Sequence, residues 1–211
     1  MQFRVMSGKT DRVSNMPTVR AFIAIDPGAR LREWAGGVLG RLARRYPAVR
    51  WARPESLHLT LRFLGAIETR QVAEVLGSME SACAVEPIPE PLERVRLDLG
   101  ETGSFGRRRA PTVCWVGFRP CPSLEYICRF QQALERTIRR IGFKGETRRW
   151  TPHLTFGRNR STGDLTGWEA YVGLEEREPP SMMVEEIGLY SSELRPSGAE
   201  YRRLGEVRLS G

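Results

Sequence analysis

Only two histidines occur in the 211-residue chain, and both stand in one frame: His58-Leu59-Thr60-Leu61 and, about 95 residues later, His153-Leu154-Thr155-Phe156. Two histidines scattered independently would rarely share such a frame. In an extended strand successive side chains point to opposite faces, so His58 and Thr60 share one face while Leu59 and Leu61 share the other, and His153 and Thr155 repeat the arrangement. Each strand thus offers an imidazole and a hydroxyl roughly 6.5–7 Å apart along one side. Two such strands facing each other make a cleft with four polar groups.

A pair of imidazoles suits phosphodiester hydrolysis. An unperturbed ring titrates near pH ~6.5, so one can be neutral and take a proton from water while the other is protonated and gives one to the departing oxygen on the far side of phosphorus. Thr60 and Thr155 can donate to the non-bridging oxygens, and Arg62 or Arg158 can add charge-assisted hydrogen bonds. By strict alternation Arg62 shares the face of His58, whereas Arg158 does not share the face of His153. The bland readings are a satisfied strand histidine, threonine chosen for its β-propensity, and arginines that cover a surface. The chemistry needs no metal. Cys83, Cys114, Cys121 and Cys128 lack the paired close spacing of a zinc site, so neither a metal nor a cofactor is expected.

The elements that must position these residues follow from periodicity. Val19–Ile25 reads as a buried strand leading through Asp26-Pro27-Gly28 into a helix, with Asp26 placed to cap. Leu31, Trp34, Ala35, Val38, Leu39, Leu42 and Tyr46 fall on one helical face. Val49–Ala52 is a short strand, Gly65 stops the first histidine strand, and Thr69 caps a second helix carrying Val72, Val75, Leu76, Met79 and Cys83. Val95, Leu97 and Leu99 alternate as a half-exposed strand, Gly100–Pro111 with Arg107-Arg108-Arg109 and nearby Phe105 reads as a basic loop, and Thr112–Phe118 as a buried strand. A third helix spans about Ser123 to Ile141. After the second histidine strand come a short helix near Trp168 and two last strands, Met182–Tyr190 and Tyr201–Leu209, with Ser191–Ala199 turning between them. The order gives two α+β halves, each owning one histidine strand.

The net charge of +8 and a heavy preference for arginine over lysine favour a polyanionic partner, against the alternative of a solvated basic surface. No run of about 18 apolar residues is present and Met1–Asn15 has no apolar core, so neither a membrane span nor a secretory signal is expected, and a cytoplasmic location follows. Residues 1–16 read as a flexible extension, with Met16 a candidate start, and 17–211 as a single bilobal domain.

The paired His-x-Thr-x motifs resemble those of the two-histidine (2H) phosphoesterase superfamily, and more closely its RNA 2′,3′-cyclic phosphodiesterase branch, the LigT-like proteins. Arg20–Ile25 is similar to the family's opening strand, Arg50–Gly65 to its first signature, Thr112–Gly117 to its central strand, Arg149–Arg158 to its second signature and Tyr190–Leu194 to the strand and turn before the C-terminus. Gly157 replaces the usual alanine. The resemblance implies an α+β, bilobal 2H phosphoesterase fold, two antiparallel sheets lining a central cleft with helices outside. It also implies hydrolysis of terminal RNA 2′,3′-cyclic phosphates to 2′-phosphomonoesters, with 2′–5′ RNA ligation as a companion activity on tRNA fragments. His58 would be the proton donor and His153 the proton acceptor, assisted by Thr60 and Thr155, with Phe22, Arg62, Arg158, Arg107, Arg108 and Arg109 binding substrate. A monomer is expected. The alternatives are a 2H enzyme acting on another cyclic or 2′–5′-linked nucleotide, and a non-catalytic module that holds RNA ends.

Overall fold

In the computed structural model the described residues are 17–88, 95–106, 111–159, 165–174, 179–195 and 198–209. Three helices form where the apolar period predicts them. Helix α1 (Ala29–Arg45) buries Leu31, Ala35, Val38, Leu39 and Leu42, and α2 (Gln71–Val85) buries Val75, Met79 and Ala82. Helix α3 (Pro122–Arg140) buries Tyr126, Ile127, Phe130, Leu134 and Ile138. The expected caps are used otherwise. Asp26 accepts from the Gly28 amide at 2.8 Å and pairs with Arg32, so Gly28, at φ 81, starts α1 and Asp26 braces the turn from outside. The Thr69 hydroxyl donates to the Pro17 carbonyl at 2.9 Å and ties the start of the first strand to the start of α2.

The strands are β1 (Thr18–Ile25), β2 (Arg50–Trp51), β3 (Leu59–Glu68), β4 (Val95–Leu97), β5 (Leu99–Gly106), β6 (Pro111–Phe118), β7 (Leu154–Arg158), β8 (Met182–Val184), β9 (Glu186–Arg195) and β10 (Gly198–Arg208). They build an antiparallel sheet in the order β10-β9-β1-β3-β7-β6-β5, with β2 paired to β7, and a small separate sheet of β4 and β8. The α+β class matches expectation, but the two halves of the chain exchange strands: β9 and β10, read with the second half, extend the sheet from β1, and β5, read with the first, pairs with β6. The halves are hydrogen-bonded into one sheet, however, and β3 meets β7 at a single pair, Leu59 with Leu154.

Several expected loops are strand. Gly65 adopts φ 76 inside β3 and the strand continues to Glu68, because the freedom of glycine lets the chain kink without losing its partner β1. Much of Gly100–Pro111 forms β5 against β6, and most of Ser191–Ala199 extends the β9–β10 hairpin. Conversely, the runs read as continuous through Asp98 and Glu185 are each broken there. The segments before and after change sheets, so that β4 and β8 pair with each other while β5 and β9 join the large sheet. Asp98 is held at its break by the Ser181 hydroxyl at 2.6 Å and Arg96 at 3.0 Å.

Candidate active site

Both histidines stand immediately before the first residue of their strands, at the junction of the two halves. The junction pair of Leu59 and Leu154 is fully buried, so its leucines point to the core and the residues on either side point to the opposite face. The same register sets His58 opposite Thr155 and Thr60 opposite His153. The approach to His153 is pinned to the first motif, since the Trp150 indole N–H donates to the Thr60 carbonyl at 2.9 Å.

The two imidazoles are fixed alike. Nδ1 of His58 bonds the Ser56 carbonyl at 2.7 Å, and Nδ1 of His153 bonds the Thr151 carbonyl at 2.7 Å. A carbonyl oxygen can only accept, so each Nδ1 carries a proton and each Nε2 is the nitrogen available for proton transfer. Both rings have pKa values lowered from 6.5, first because burial penalises the imidazolium and then, after the opposing effect of the carbonyl bond, because the Arg158 cation acts on both. The Asp26 carboxylate favours the charged form of His58. No carboxylate among the described residues does the same for His153.

Beyond each threonine the strands depart from simple alternation, and they do so at the same place. In β3, Ile23 of β1 pairs with Arg62 and Ala24 with Thr60, which leaves Leu61 as a bulge. In β7, Cys114 of β6 pairs with Gly157 and Trp115 with Thr155, which leaves Phe156 as a bulge. Each bulge puts two successive residues on the buried side, Leu61 with Arg62 and Phe156 with Gly157, and returns Phe63 and Arg158 to the histidine face. The Leu61 carbonyl accepts from Gln131 of α3 at 3.3 Å. Gly157 is needed because the Trp51 ring lies where a Cβ would be, with ring carbons 2.6 and 2.8 Å from that position.

Both arginine assignments from alternation are therefore reversed. Arg62 does not share the face of His58: it is 5% exposed, meets Glu135 at 3.1 Å and Glu146 at 2.6 Å, and donates to the Lys144 carbonyl. Its guanidinium braces the segment that leads to His153 and does not line the cleft. Arg158 is exposed and its charge reaches both imidazoles.

Aromatic rings flank each histidine. Around His58 stand Phe22 at 4.8 Å and Tyr201 at 5.2 Å, centroid to centroid, and Phe22 in turn contacts Phe63 at 5.9 Å and stacks on Tyr190 at 5.5 Å. Around His153 stand Phe105 at 5.2 Å and Trp115 at 6.0 Å. Phe63, Phe105 and Tyr201 are 51%, 39% and 38% exposed, which leaves ring faces open. Phe22, expected to bind substrate, lies against His58 and is itself buried, whereas Phe63, Tyr190, Tyr201 and Trp115 were not singled out. Phe63 could have been found from the motif, since it follows His58 by the same five positions as Arg158 follows His153. The expected phosphate-tracking run Arg107-Arg108-Arg109 lies outside the described residues. Beside His58 a cleft of about 120 Å³, open to solvent, is lined by Phe22, Asp26, Arg32, Glu55, Tyr190 and Tyr201. Among the described residues no group of three or more His, Cys, Asp or Glu side chains could hold a metal ion.

The arrangement can hold a phosphorus between two Nε2 atoms, with two hydroxyls and one guanidinium about its oxygens. Comparisons with known proteins show likeness in sequence and in fold. Residues 26–195 match the family model of the 2′-5′ RNA ligase superfamily. An RNA 2′,3′-cyclic phosphodiesterase of Thermotoga maritima is 28% identical over 92% of this chain and 97% of its own length. One of Bacillus subtilis is 28% identical over 92% of this chain and all of its own. Among solved structures, E. coli LigT complexed with 3′-AMP superposes with a TM-score of 0.70 over 92% of this chain and 100% of that one, at 24% identity, a likeness of fold.

Proposed function

The chain belongs to the 2′-5′ RNA ligase superfamily and is a phosphodiesterase, and we propose that it hydrolyses terminal 2′,3′-cyclic phosphates of RNA to 2′-phosphomonoesters through His58 and His153. The observation that carries the reading is the pair of imidazoles at the sheet junction, each with Nδ1 bound to a carbonyl and Nε2 available. Nε2 of His153 takes a proton from water as the water oxygen bonds to phosphorus. Nε2 of protonated His58 gives its proton to O3′ as the O3′–P bond breaks, and solvent exchange then restores the starting protonation states. The donor role of His58 follows from its place in the first of the two motifs; the Asp26 carboxylate favours its cationic form, against the larger effects of burial, Arg158 and His153. Thr60 and Thr155 donate to the non-bridging oxygens, and Arg158 holds their charge.

If a 5′-hydroxyl takes the place of water, the same two proton transfers yield a 2′–5′ linkage, so ligation needs no further residue. The open faces of Phe63, Tyr201 and Phe105 suit stacking on nucleobases. The reading carries with it a monomeric, cytoplasmic enzyme acting on RNA ends, tRNA fragments among them, and residues 17–211 working as one unit. Among the described residues no helix is long and apolar enough to cross a membrane.

The test is to incubate the protein with a nucleoside 2′,3′-cyclic phosphate in the presence of chelator and to identify the product. Release of the 2′-phosphate supports the reading. A 3′-phosphate product, or binding without turnover, would reject it, the latter in favour of a module that only holds RNA ends.

A further inference from the structure

Many of the arginines on this chain are spoken for by carboxylates: Arg32, Arg62, Arg70, Arg96, Arg129, Arg195 and Arg203 each pair with an aspartate or glutamate. Arg20 and Arg53 are among those that do not. Both are exposed, and among the described residues neither meets a carboxylate.

Strand register brings these two cations to one place. Tyr201 of β10 pairs with Ser192 of β9, and Ala21 of β1 pairs with Ser191, so the same register sets Arg20 beside Ser192 and Tyr201 in one row across the sheet. That row lies next to the one holding Phe22 and Tyr190, on the same face, and the Tyr201 ring reaches over to Phe22 at 5.0 Å and His58 at 5.2 Å. Arg53 stands at the head of the 3₁₀ turn Pro54–Ser56 that precedes His58, and its guanidinium donates to the Ala199 carbonyl of β10 at 2.9 Å, two residues from Tyr201. The nearest acidic residues of the hairpin, Glu193 and Glu200, alternate to the other face, where Arg195 pairs with both. The charges of Arg158, Arg20 and Arg53 all act on the Tyr201 hydroxyl, in opposition to the burial that raises its pKa.

We propose that Arg20 and Arg53, with the Tyr201 hydroxyl between them, form a second phosphate site that takes the internucleotide phosphate one nucleotide 5′ of the cyclic end. The proposal rests on the reading of the substrate as RNA. Two forked cations and a phenolic donor match a phosphodiester anion, and the Arg158 charge acts both on the Tyr201 hydroxyl and on the two imidazoles. A cyclic mononucleotide has no phosphate to place there. The site thereby selects a chain end over a free cyclic nucleotide.

The test uses three substrates: a nucleoside 2′,3′-cyclic phosphate, a dinucleotide with the same cyclic end, and that dinucleotide with a neutral methylphosphonate linkage. In the Arg20→Gln/Arg53→Gln double variant, kcat/KM on the dinucleotide should fall about tenfold or more, as expected when charge-assisted hydrogen bonds are removed. On the other two substrates it should stay within about twofold, because neither presents a charged internucleotide phosphate. Equal loss on the mononucleotide would overturn the proposal by showing that these arginines serve the scissile phosphate or the fold. No loss on the dinucleotide would overturn it by showing a solvated patch.

If the wild type turns over none of the three, the proposed function has failed and the site is read by binding instead. Anisotropy of a 5′-labelled octaribonucleotide ending in a 2′-phosphate should show a salt slope shallower by about 0.7 in the double variant. An unchanged slope would sink the second site independently of the activity.

Discussion

At the scale of residues, the two imidazoles differ less by their own bonds than by what surrounds them. Each gives Nδ1 to a carbonyl two residues upstream, so the bonds alone would let either donate or accept at Nε2. The Asp26 carboxylate favours a cationic His58 but is the smallest influence on that ring, behind burial and the Arg158 and His153 charges that oppose it, so the donor assignment rests on the order of the two motifs in the family. His58→Ala and His153→Ala should each lower turnover about 10²–10⁴-fold with an unchanged melting temperature, and wild-type turnover in either would defeat the two-histidine mechanism. A substrate with sulfur at the bridging 3′ position leaves without a proton, so it should rescue His58→Ala and leave His153→Ala inactive; the reverse pattern would invert the roles. The pH profile follows from the sign of the shifts. Both pKa values are lowered, so the neutral forms persist to more acidic pH than in a free imidazole. The product of one neutral and one protonated ring is greatest midway between the two values, so kcat/KM should peak below pH ~6.5. In the complex the bound anion favours the imidazolium, and the alkaline limb of kcat should move to higher pH. Chelator should change neither limb, and loss of activity in EDTA that zinc restores would contradict a metal-independent reaction.

At the scale of elements, the site depends on two bulges that no hydrophobic period reveals. The motifs, the face shared by His58 and Thr60, the three helices and the rough succession of elements along the chain were legible because each rests on local sequence pattern. The fates of Arg62 and Arg158 were not, because one extra residue at Leu61 and at Phe156 reverses the faces of the residues that follow it directly. A bulge is set by its surroundings, as with the Gln131 side chain that satisfies the Leu61 carbonyl, and pairing of that kind belongs to the tertiary structure. The caps misread at Asp26 and Thr69 fail for the same reason: both side chains have partners brought by the fold, Arg32 and the Pro17 carbonyl. The two arginines should consequently separate by experiment. Arg62→Met leaves the mostly buried Glu135 without its partner and should cost about 3 kcal/mol of stability, much of it recovered in Arg62→Met/Glu135→Leu, as chemical denaturation would show. Arg158→Met should leave stability nearly unchanged and cut kcat/KM about tenfold or more through the phosphate. An Arg62→Met protein of normal stability but weakened substrate binding would return Arg62 to the cleft.

At the scale of the whole molecule, two sheet halves share one core but touch through a single ladder pair, and this is what makes a cleft out of a continuous sheet. Side chains must hold the junction where the ladder does not, and Trp150 on the Thr60 carbonyl and Arg62 on the Lys144 carbonyl both cross it. Composition announced a basic protein but could not say where the charge faces, since seven arginines among the described residues are neutralised by carboxylates while Arg20, Arg53 and Arg158 gather on the cleft side. The run Arg107-Arg108-Arg109, outside the described residues, follows in sequence on Phe105, whose ring packs against His153 at 5.2 Å. Replacing all three with glutamine should then weaken an oligoribonucleotide with a cyclic end several-fold and leave a cyclic mononucleotide unaffected, because only the longer substrate reaches past the histidines. Its salt dependence should flatten by about 0.7 in log–log slope for each phosphate that the variant no longer neutralises. Steady-state kinetics on both substrates across a salt series measures this directly. Equal loss on the two substrates, or an unchanged slope, would leave those arginines as solvated surface.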